Sequence, residues 1–267
     1  MIKNVLSIAG SDPSGGAGIQ ADLKTFAACN TYGMAVLTAL TAQNTRGVAG
    51  VQAIPAGFVA DQIRAVFADV RVDAVKIGMI ANAEIADAVA EVLKPHAGAV
   101  PVVLDPVMIA KGGSPLLAAD AVTVVATRLM PLATVVTPNL PEAAALLNQS
   151  LATTREEMAR QAQSLRAIGP SALVKGGHLE AADSPDVLAT AEGVLWFEGG
   201  RILTKNTHGT GCTLSSAIAA ELAKGSSPAD AVKRAKAYLA GAIAAADTLA
   251  VGTGHGPVSH FWDSWSS

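Results

Sequence analysis

A stretch of small and polar residues between two apolar segments has the composition of an anion-binding turn. It reads Asn206-Thr207-His208-Gly209-Thr210-Gly211-Cys212 and runs from a β-like segment at 201–205 into an alanine-rich helical pattern. The glycines on both sides of Thr210 allow a tight turn whose N–H groups point outward at the helix start, and such a site binds anions without a positive side chain. Cys212 lies at or just inside that start, where the helix dipole favours a thiolate.

This combination suits phosphoryl transfer, in which positioned donors stabilise the charge of the moving group. The N–H groups of Gly209, Thr210, Gly211 and Cys212 are the candidate donors. Gly211 is expected to adopt a backbone conformation that a β-branched residue resists. The alternative is an ordinary strand–turn–helix connection that contains a buried cysteine.

A second glycine-rich turn follows a strand-like run at 5–10 and precedes a helical pattern. Its residues 16–21 match G-x-G-x-x-A, the pattern of dinucleotide-binding turns. That pattern also needs an acidic residue about 20 positions further on, and no Asp or Glu lies between Asp22 and Asp61. A nicotinamide-dependent oxidoreductase is therefore the weaker alternative. We expect the glycines to let a ligand approach the backbone, with Asp22 facing that ligand or serving only as a solvated helix residue.

Polar side chains follow three of the predicted strands, and ligands of open α/β sheets bind at the carboxyl ends of strands. Gln43 follows the strand at 33–41, and its amide can pair with the edge of a heterocycle. Asp105 follows the strand at 102–104, a usual place for a carboxylate that acts on Mg²⁺. Asn139 and Glu142 lie three residues apart at a helix start, so they reach one hydrated metal or phosphate, or else form a capping box.

Alternating strand and helix patterns predict a single domain over residues 1–267 with three αβα layers and a mostly parallel central sheet. A hairpin that turns at Gly199-Gly200 would add a few antiparallel strands to this sheet. The loop at 111–115 is a candidate flap over the site. Helices are predicted from residue 19 onward and at 58–70, 84–93, 118–129, 155–168, 214–224 and 228–249, and further strands at 74–80, 134–136, 172–175, 194–197 and 201–203.

Composition excludes several functional classes. The 267 residues carry a formal net charge of −3 with 4% aromatics, which argues against nucleic-acid binding. No apolar run reaches the ~18 residues of a membrane helix, and the first residues do not resemble a signal peptide, so a cytoplasmic protein is expected. Two cysteines make no disulfide framework, and His255 and His260 form no metal signature. Gly-Lys never occurs, which excludes a P-loop kinase.

The motifs taken together resemble those of the hydroxymethylpyrimidine/phosphomethylpyrimidine kinases, the thiamine-pathway branch of the ribokinase-like superfamily. The resemblance implies ATP-dependent phosphorylation of 4-amino-5-hydroxymethyl-2-methylpyrimidine and then of its monophosphate, with Mg²⁺ and a homodimer. A pyridoxine or pyridoxal kinase of the same fold is the alternative, because its substrate is also a six-membered heteroaromatic ring with a hydroxymethyl arm; a nucleotide sensor without activity is a third. The motifs are AGSDPSGGAGIQAD (9–22), TALTAQNT (38–45), TPNLPEA (137–143), KGGH (175–178) and HGTGC (208–212).

The same resemblance assigns roles to individual residues. Cys212 would accept the hydroxyl proton beside the cradle of Gly209, Thr210 and Gly211, and Asp105 and Glu142 would act on Mg²⁺ through water. The residues around the pyrimidine would be Gln43, Gly10, Asp22 and Met79. The residues on the nucleotide side would be Lys175, Asn139, Glu142 and Lys236.

Overall fold

The computed structural model of the chain describes residues 1–108, 119–177, 179 and 183–265. Strands and α-helices alternate over most of this length, as the sequence predicts. Within the described residues the strands are β1 (Asn4–Ala9), β2 (Tyr32–Leu37), β3 (Ala39–Asn44), β4 (Gly47–Ala53), β5 (Ala74–Ile77), β6 (Val102–Leu104), β7 (Val135–Val136), β8 (Ser171–Lys175), β9 (Asp186–Thr190) and β10 (Gly193–Phe197). The helices are α1 (Gly18–Ala28), α2 (Ala56–Asp69), α3 (Ala83–Leu93), α4 (Ala119–Val124), α5 (Leu140–Leu147), α6 (Arg155–Arg166), α7 (Thr210–Ala223) and α8 (Pro228–Ala244). Short 3₁₀ and π turns extend several of them.

Eight strands form one sheet in the order β10-β9-β8-β7-β6-β5-β1-β2. The strands from β8 to β2 pair in parallel, whereas β9 is antiparallel to both β8 and β10. The mostly parallel sheet with a few antiparallel strands is therefore confirmed. Because the parallel strands share one direction, the segments that follow β1, β5, β6, β7 and β8 all leave the same edge of the sheet.

Helices cover both faces of this sheet, and each face has its own core. Alternation along the strands divides the side chains between the two faces. On β5, Val75 and Ile77 join the core under α2, α3, α5 and α6, whereas Ala74 joins the core under α1, α7 and α8. The same alternation turns Lys76 toward α1 and α7, away from Val75 and Ile77. The predicted three layers are thus observed.

The single strand predicted at 33–41 is wrong, because the chain forms two strands there. Thr38 separates β2 from β3, and its Oγ1 donates to the Met79 carbonyl at 2.6 Å. Beyond it, β3 pairs antiparallel with β4 in a separate two-stranded sheet that the sequence did not predict. Most residues of β4 are small and exposed, so this strand shows no hydrophobic run.

The predicted hairpin is present, but its turn is displaced. β9 and β10 turn at Ala191-Glu192, and Gly193 has a φ of 138° that glycine adopts at little cost. Gly199-Gly200 instead follows the end of β10, and the strand predicted at 201–203 is absent, as is the β-like segment at 201–205. Residues 201–205 pair with no other strand, so their alternating pattern does not form a strand. The candidate flap at 111–115 lies outside the described residues.

Candidate active site

The N-terminus of α7 contains the turn that the sequence predicts as an anion cradle. Gly209 precedes the helix with a φ of 80°, and a Cβ there would lie 1.8 Å from the Gly16 carbonyl oxygen. The first N–H groups of an α-helix have no intrahelical acceptor, and Gly209 has no side chain with which to cap them. The N–H groups of Gly211 and Cys212 are therefore available to an anion.

The structure gives a different reason for glycine at position 211 from the one that the sequence predicts. Its φ lies outside the left-handed region, so the expected unusual backbone conformation is wrong. A Cβ on Gly211 would lie 3.5 Å from both Asp105 Oδ2 and Lys175 Nζ. The glycine thus keeps space open between the cradle and these two charged groups.

The two glycine-rich turns pack against each other around Cys212. The Gly18 N–H, at the start of α1, donates to the Cys212 sulfur. Gly18 has a φ of 56°, and a Cβ there would lie 2.3 Å from the Gly10 carbonyl oxygen. The glycines that match a dinucleotide pattern therefore serve tight packing between turns, and they hold α1 and α7 with their N-termini side by side.

Asp12 and His208, which the sequence did not single out, tie these turns together. Asp12 is buried and accepts from the N–H groups of Ser14, Gly16 and Ala17, while its Oδ2 lies 2.8 Å from His208 Nε2. His208 Nε2 also lies 3.4 Å from Gln43 Nε2. The only signal in the sequence was the position of each residue inside a glycine-rich motif.

The residues predicted around the pyrimidine ring differ in their surroundings. Gly10 and Met79 are adjacent, since a Cβ on Gly10 would lie 2.5 Å from Met79 Cε. Gln43 lies on β3 at an irregularity in its pairing with β4, half-buried beside His208. Asp22 is fully buried, and its carboxylate oxygens contact Lys76, Ser7 and Ser216. The structure thus gives Asp22 partners within the protein.

An ion pair between Asp105 and Lys175 lies next to the cradle. Lys175 Nζ is 3.0 Å from Asp105 Oδ1, and the hydroxyl groups of Thr137 and Ser215 also donate to this carboxylate. Burial alone would raise the pKa of Asp105, but Lys175 and Lys76 hold it below its usual value. Asp105 is therefore a carboxylate at neutral pH.

Asn139 and Glu142 form the capping box that was the alternative interpretation. Asn139 Oδ1 accepts from the Glu142 N–H at 2.9 Å, and Glu142 Oε2 accepts from the Asn139 N–H at 2.8 Å. Burial raises the pKa of Glu142 to about 7, Lys175 opposes this rise, and the nearby charge of Asp105 adds to it. The Glu142 side chain thus caps α5 and also interacts electrostatically with Lys175 and Asp105.

A cavity of about 1020 Å³ opens beside the cradle. Its volume lies at the upper end of the range for small-molecule sites. Lys236 reaches it from α8 and contacts Asp186 Oδ2 at 2.6 Å and the Ser184 carbonyl at 3.0 Å. The predicted nucleotide residues that line it together with Thr210 and Gly211 are Asn139, Lys175 and Lys236; Glu142 does not.

The resting form of Cys212 differs from the expected thiolate. Burial raises the pKa of its thiol to about 11, whereas Lys76 lowers it. The sulfur is therefore protonated at neutral pH.

The described residues contain neither a metal-binding cluster nor a membrane-spanning helix. No group of three or more His, Cys, Asp and Glu side chains there is arranged to hold a metal ion. Among the helices in the same ranges, none combines the length and apolar character needed to cross a membrane.

A helix N-terminus with free N–H groups, a buried Asp–Lys pair and a cavity at one edge of a parallel sheet form the arrangement expected of a phosphotransferase of the α/β class. The sequence profile described as phosphomethylpyrimidine kinase matches residues 12–259. The chain belongs to this family, and its resemblance to the hydroxymethylpyrimidine/phosphomethylpyrimidine kinases is confirmed.

Individual relatives agree with this assignment. The hydroxymethylpyrimidine/phosphomethylpyrimidine kinase of Escherichia coli (strain K12) is 56% identical over 98% of each chain. The thiamine biosynthesis bifunctional protein ThiED of Geobacter sulfurreducens is 52% identical over 96% of this chain and 52% of its own length. Among solved structures, an ADP complex of Bacillus subtilis pyridoxal kinase has a TM-score of 0.89 at 36% identity, covering 97% of this chain and 98% of its own. Pyridoxal kinase is thus a structural relative, and the sequence is closer to the pyrimidine kinases.

Proposed function

We propose that this chain transfers phosphate from ATP to the hydroxymethyl group of 4-amino-5-hydroxymethyl-2-methylpyrimidine and then to the resulting monophosphate, as a step in thiamine biosynthesis. The observation that carries the proposal is the N-terminus of α7, where Cys212 lies between two glycine-rich turns and next to a cavity of nucleotide size. The family membership and the relatives' names support the choice of substrate.

The cradle would provide most of the catalysis. In a loose transition state the charge spreads over the oxygens of the moving phosphoryl group, so fixed donors matter more than a strong base. The N–H groups of Gly211 and Cys212 would stabilise that charge from one side. Lys175, whose Nζ would lie 3.5 Å from a Cβ on Gly211, would neutralise it from the other.

The side chains near Lys175 fit a hydrated Mg²⁺ that accompanies ATP. Asp105 and Glu142 are buried close enough for the charge of Asp105 to raise the pKa of Glu142, and a cation would relieve this repulsion. Mg²⁺ typically binds through one or two carboxylates, water and substrate phosphates. Asp105 and Glu142 would hold its waters, and the ion would neutralise phosphate charge during transfer.

One pocket would serve both steps. Gln43 would pair with the aminopyrimidine edge, and Gly10 and Met79 would border the ring. Asp22 remains a predicted member of this group. The ring is common to both acceptors, so the same contacts would present first the hydroxyl and then the monophosphate to the cradle.

The test is turnover of ATP with a panel of acceptors, with products identified by mass. The pyrimidine alcohol should give first a monophosphate and then a diphosphate, with a higher kcat/KM than pyridoxine or pyridoxal. Preference for pyridoxal would move the chain to the alternative kinase. ATP binding without transfer to any acceptor would identify a sensor.

Replacing the proposed base should separate catalysis from binding. We expect Cys212→Ala to lower kcat by roughly 10²–10⁴-fold, because a positioned proton acceptor contributes about that much. The dissociation constant of ATP, measured by calorimetry, should change little. Cys29→Ala is the matched control, because Cys29 follows α1 at its far end. Near-normal turnover of Cys212→Ala would make Cys212 a packing residue.

We also propose that the protein is a cytoplasmic homodimer. Both cysteines, Cys29 and Cys212, are free, as is usual in a reducing compartment. The β3–β4 sheet has two strands only and exposes Leu40 on one face. Such isolated pairs are marginally stable alone and favour a partner.

A further inference from the structure

A buried charge pair lies below the N-terminal turn of α7. Lys76 on β5 and Asp22 on α1 have fully buried side chains, and Lys76 Nζ is 2.9 Å from each carboxylate oxygen. The hydroxyl groups of Ser7 and Ser216 donate to the same carboxylate at 2.6 and 2.7 Å. A buried ion pair rarely improves stability over apolar side chains of similar volume. The pair therefore points to a use other than stability.

The contacts between α1 and α7 set the position of this pair relative to Cys212. Gly18 and Asp22 are one helical turn apart on α1, and Cys212 and Ser216 are one turn apart on α7. The Gly18 N–H donates to the Cys212 sulfur, and Asp22 accepts from the Ser216 hydroxyl. The carboxylate of Asp22, with Lys76 bound to it, therefore lies one turn below the sulfur.

The surrounding backbone keeps Lys76 in place. A Cβ on Gly78 would lie 2.7 Å from Lys76 Nζ and 3.0 Å from the Ala9 Cβ, so a larger residue there would crowd the ammonium group. Its strand neighbours Val75 and Ile77 are in the core on the opposite face of the sheet. The ammonium group thus faces α1 and α7 in a fixed position.

We propose that Lys76 is a positioning residue for phosphoryl transfer, whose ammonium group, held by Asp22 one turn below Cys212, supplies the positive charge that lets the sulfur accept the hydroxyl proton. The inference rests on the proposed function. The Cys212 thiol, which is protonated at rest, first releases its proton to water. As the O–H bond of the substrate then breaks, the substrate proton bonds to the thiolate sulfur. The hydroxyl oxygen bonds to the γ-phosphorus while the bond to ADP breaks, and the thiol later returns its proton to water.

The charged groups around Cys212 agree with this role. They are Lys76 from β5, Asp22 from α1, Asp105 after β6 and Lys175 from β8. Burial and the two carboxylates raise the pKa of the Cys212 thiol, whereas Lys76 lowers it. Removing Lys76 or Asp22 should therefore change thiolate formation in opposite directions.

The test is the rate at which iodoacetamide alkylates Cys212 in the free protein, measured by mass spectrometry at several pH values below the thiol pKa. We expect Lys76→Met to slow the reaction roughly 10- to 1000-fold, the range that corresponds to the effect of a nearby opposite charge on a pKa. We expect Asp22→Asn to accelerate it. Cys29, read in the same digest, should keep its rate in both variants.

Steady-state kinetics supply the second measurement. Lys76 is fully buried and touches no substrate, so Lys76→Met should lower kcat by a similar factor and leave KM for the pyrimidine unchanged. Lys3→Met is the control, because Lys3 pairs with Asp73 at the opposite end of β1. It should change neither kcat nor the alkylation rate.

A structural role for the pair would give another pattern. Both variants would then change the alkylation of Cys212 in the same direction, or that of Cys29 as well, and either result overturns the proposal. If Lys76→Met does not fold, Asp22→Asn decides alone, and an unchanged or slower reaction refutes the inference. Alkylation needs no substrate, so a wild-type protein without pyrimidine turnover would refute the proposed function separately.

Discussion

Gln43 is the residue through which ring recognition can be tested. Its amide is half-buried near His208, and Thr41 Oγ1 donates to its Oε1 at 3.2 Å. Leucine has similar bulk but leaves ring groups unpaired, which costs on the order of 1–3 kcal/mol. We expect Gln43→Leu to lower kcat/KM roughly 5- to 150-fold for the pyrimidine alcohol and its monophosphate alike. Pyridoxine, which lacks the amine, should be affected less.

The control for this substitution is Gln52→Leu on the neighbouring strand. Gln52 pairs with Leu40 and is exposed, so its replacement should leave kcat/KM unchanged. A Gln43→Leu variant that loses only the first step would contradict the single pocket. One that loses pyridoxine most would favour the pyridoxal kinase assignment.

Some contacts of single residues could not be predicted from the sequence. The order of glycine, cysteine and lysine motifs was sufficient to predict which residues gather at one sheet edge. It did not predict that Asp12 and His208 join the turns, or that Asp22 pairs with Lys76, because these contacts join residues 196 and 54 positions apart. Lys76 lies in an otherwise apolar strand, and no local pattern identifies its partner.

At the scale of elements, the start of α7 depends on Gly209, the residue immediately before the helix. Gly209→Ala places a Cβ at a φ of 80° and against the Gly16 carbonyl. We expect it to lower the free energy of unfolding by at least about 1–3 kcal/mol from backbone strain. Denaturant titration measures this loss.

Gly211→Ala is the matched variant within the helix. Alanine favours the helix by about 1 kcal/mol over glycine, so this variant should remain folded. Its methyl group would lie 3.5 Å from Asp105 and Lys175 and should obstruct phosphoryl transfer. Full activity in folded Gly211→Ala would show that this turn does not hold the phosphoryl group.

The N-terminus of α5 links helix capping to charge. The pKa of Glu142, about 7 in the folded chain, lies above the 4.5 of an ordinary glutamate, so the folded state binds this proton more tightly. The free energy of unfolding therefore falls as pH rises from about 4.5 through 7. A glutamine at position 142 can still accept the capping hydrogen bond from the Asn139 N–H, but it carries no charge. We expect Glu142→Gln to be more stable than the wild type above pH 7, by on the order of 1 kcal/mol, and equal to it well below pH 4.5.

Thermal unfolding at an acidic and an alkaline pH measures this difference. Glu157→Gln, in the second capping box on the exposed start of α6, is the control. Kinase activity of Glu142→Gln should fall even where its stability rises, because the proposed Mg²⁺ waters lose a carboxylate. A variant that is less stable than the wild type at both pH values would contradict the buried-charge argument.

Elements with strong periodicity were predicted well, and weakly patterned ones were not. The helices α2, α3, α6 and α8 and the parallel strands other than β2 lie within a few residues of their predicted positions. The error at β2 and β3 has a physical cause. The apolar run continues through Thr38, but β2 belongs to the large sheet and β3 to the small one. Thr38, which separates the two strands, donates a hydrogen bond to Met79. These residues are too far apart in the sequence for a local pattern to predict the contact.

Over the whole molecule, the sheet is shared by two cores and carries the site at one edge. The residues of the site come from α1, β3, β8, α5, α7 and the segment after β6, so no local unit contains it. Both cores pack on the same strands, which supports the proposal that residues 1–267 form one domain. The small β3–β4 sheet contributes no buried residue to either core, although it carries Gln43.

That small sheet is where we expect a second copy of the chain to bind. Leu40 is 46% exposed on the face of β3 opposite Thr41 and Gln43, and within the described residues no third strand joins this sheet. The protein should therefore sediment at twice its chain mass of 26.9 kDa. Leu40→Glu should shift it to the monomer, because a buried charge without a partner is costly at an interface. Leu195→Glu, at a similarly exposed leucine on β10, is the control and should remain dimeric. A wild-type monomer, or a Leu40→Glu dimer of undiminished stability on dilution, would exclude this face as the interface.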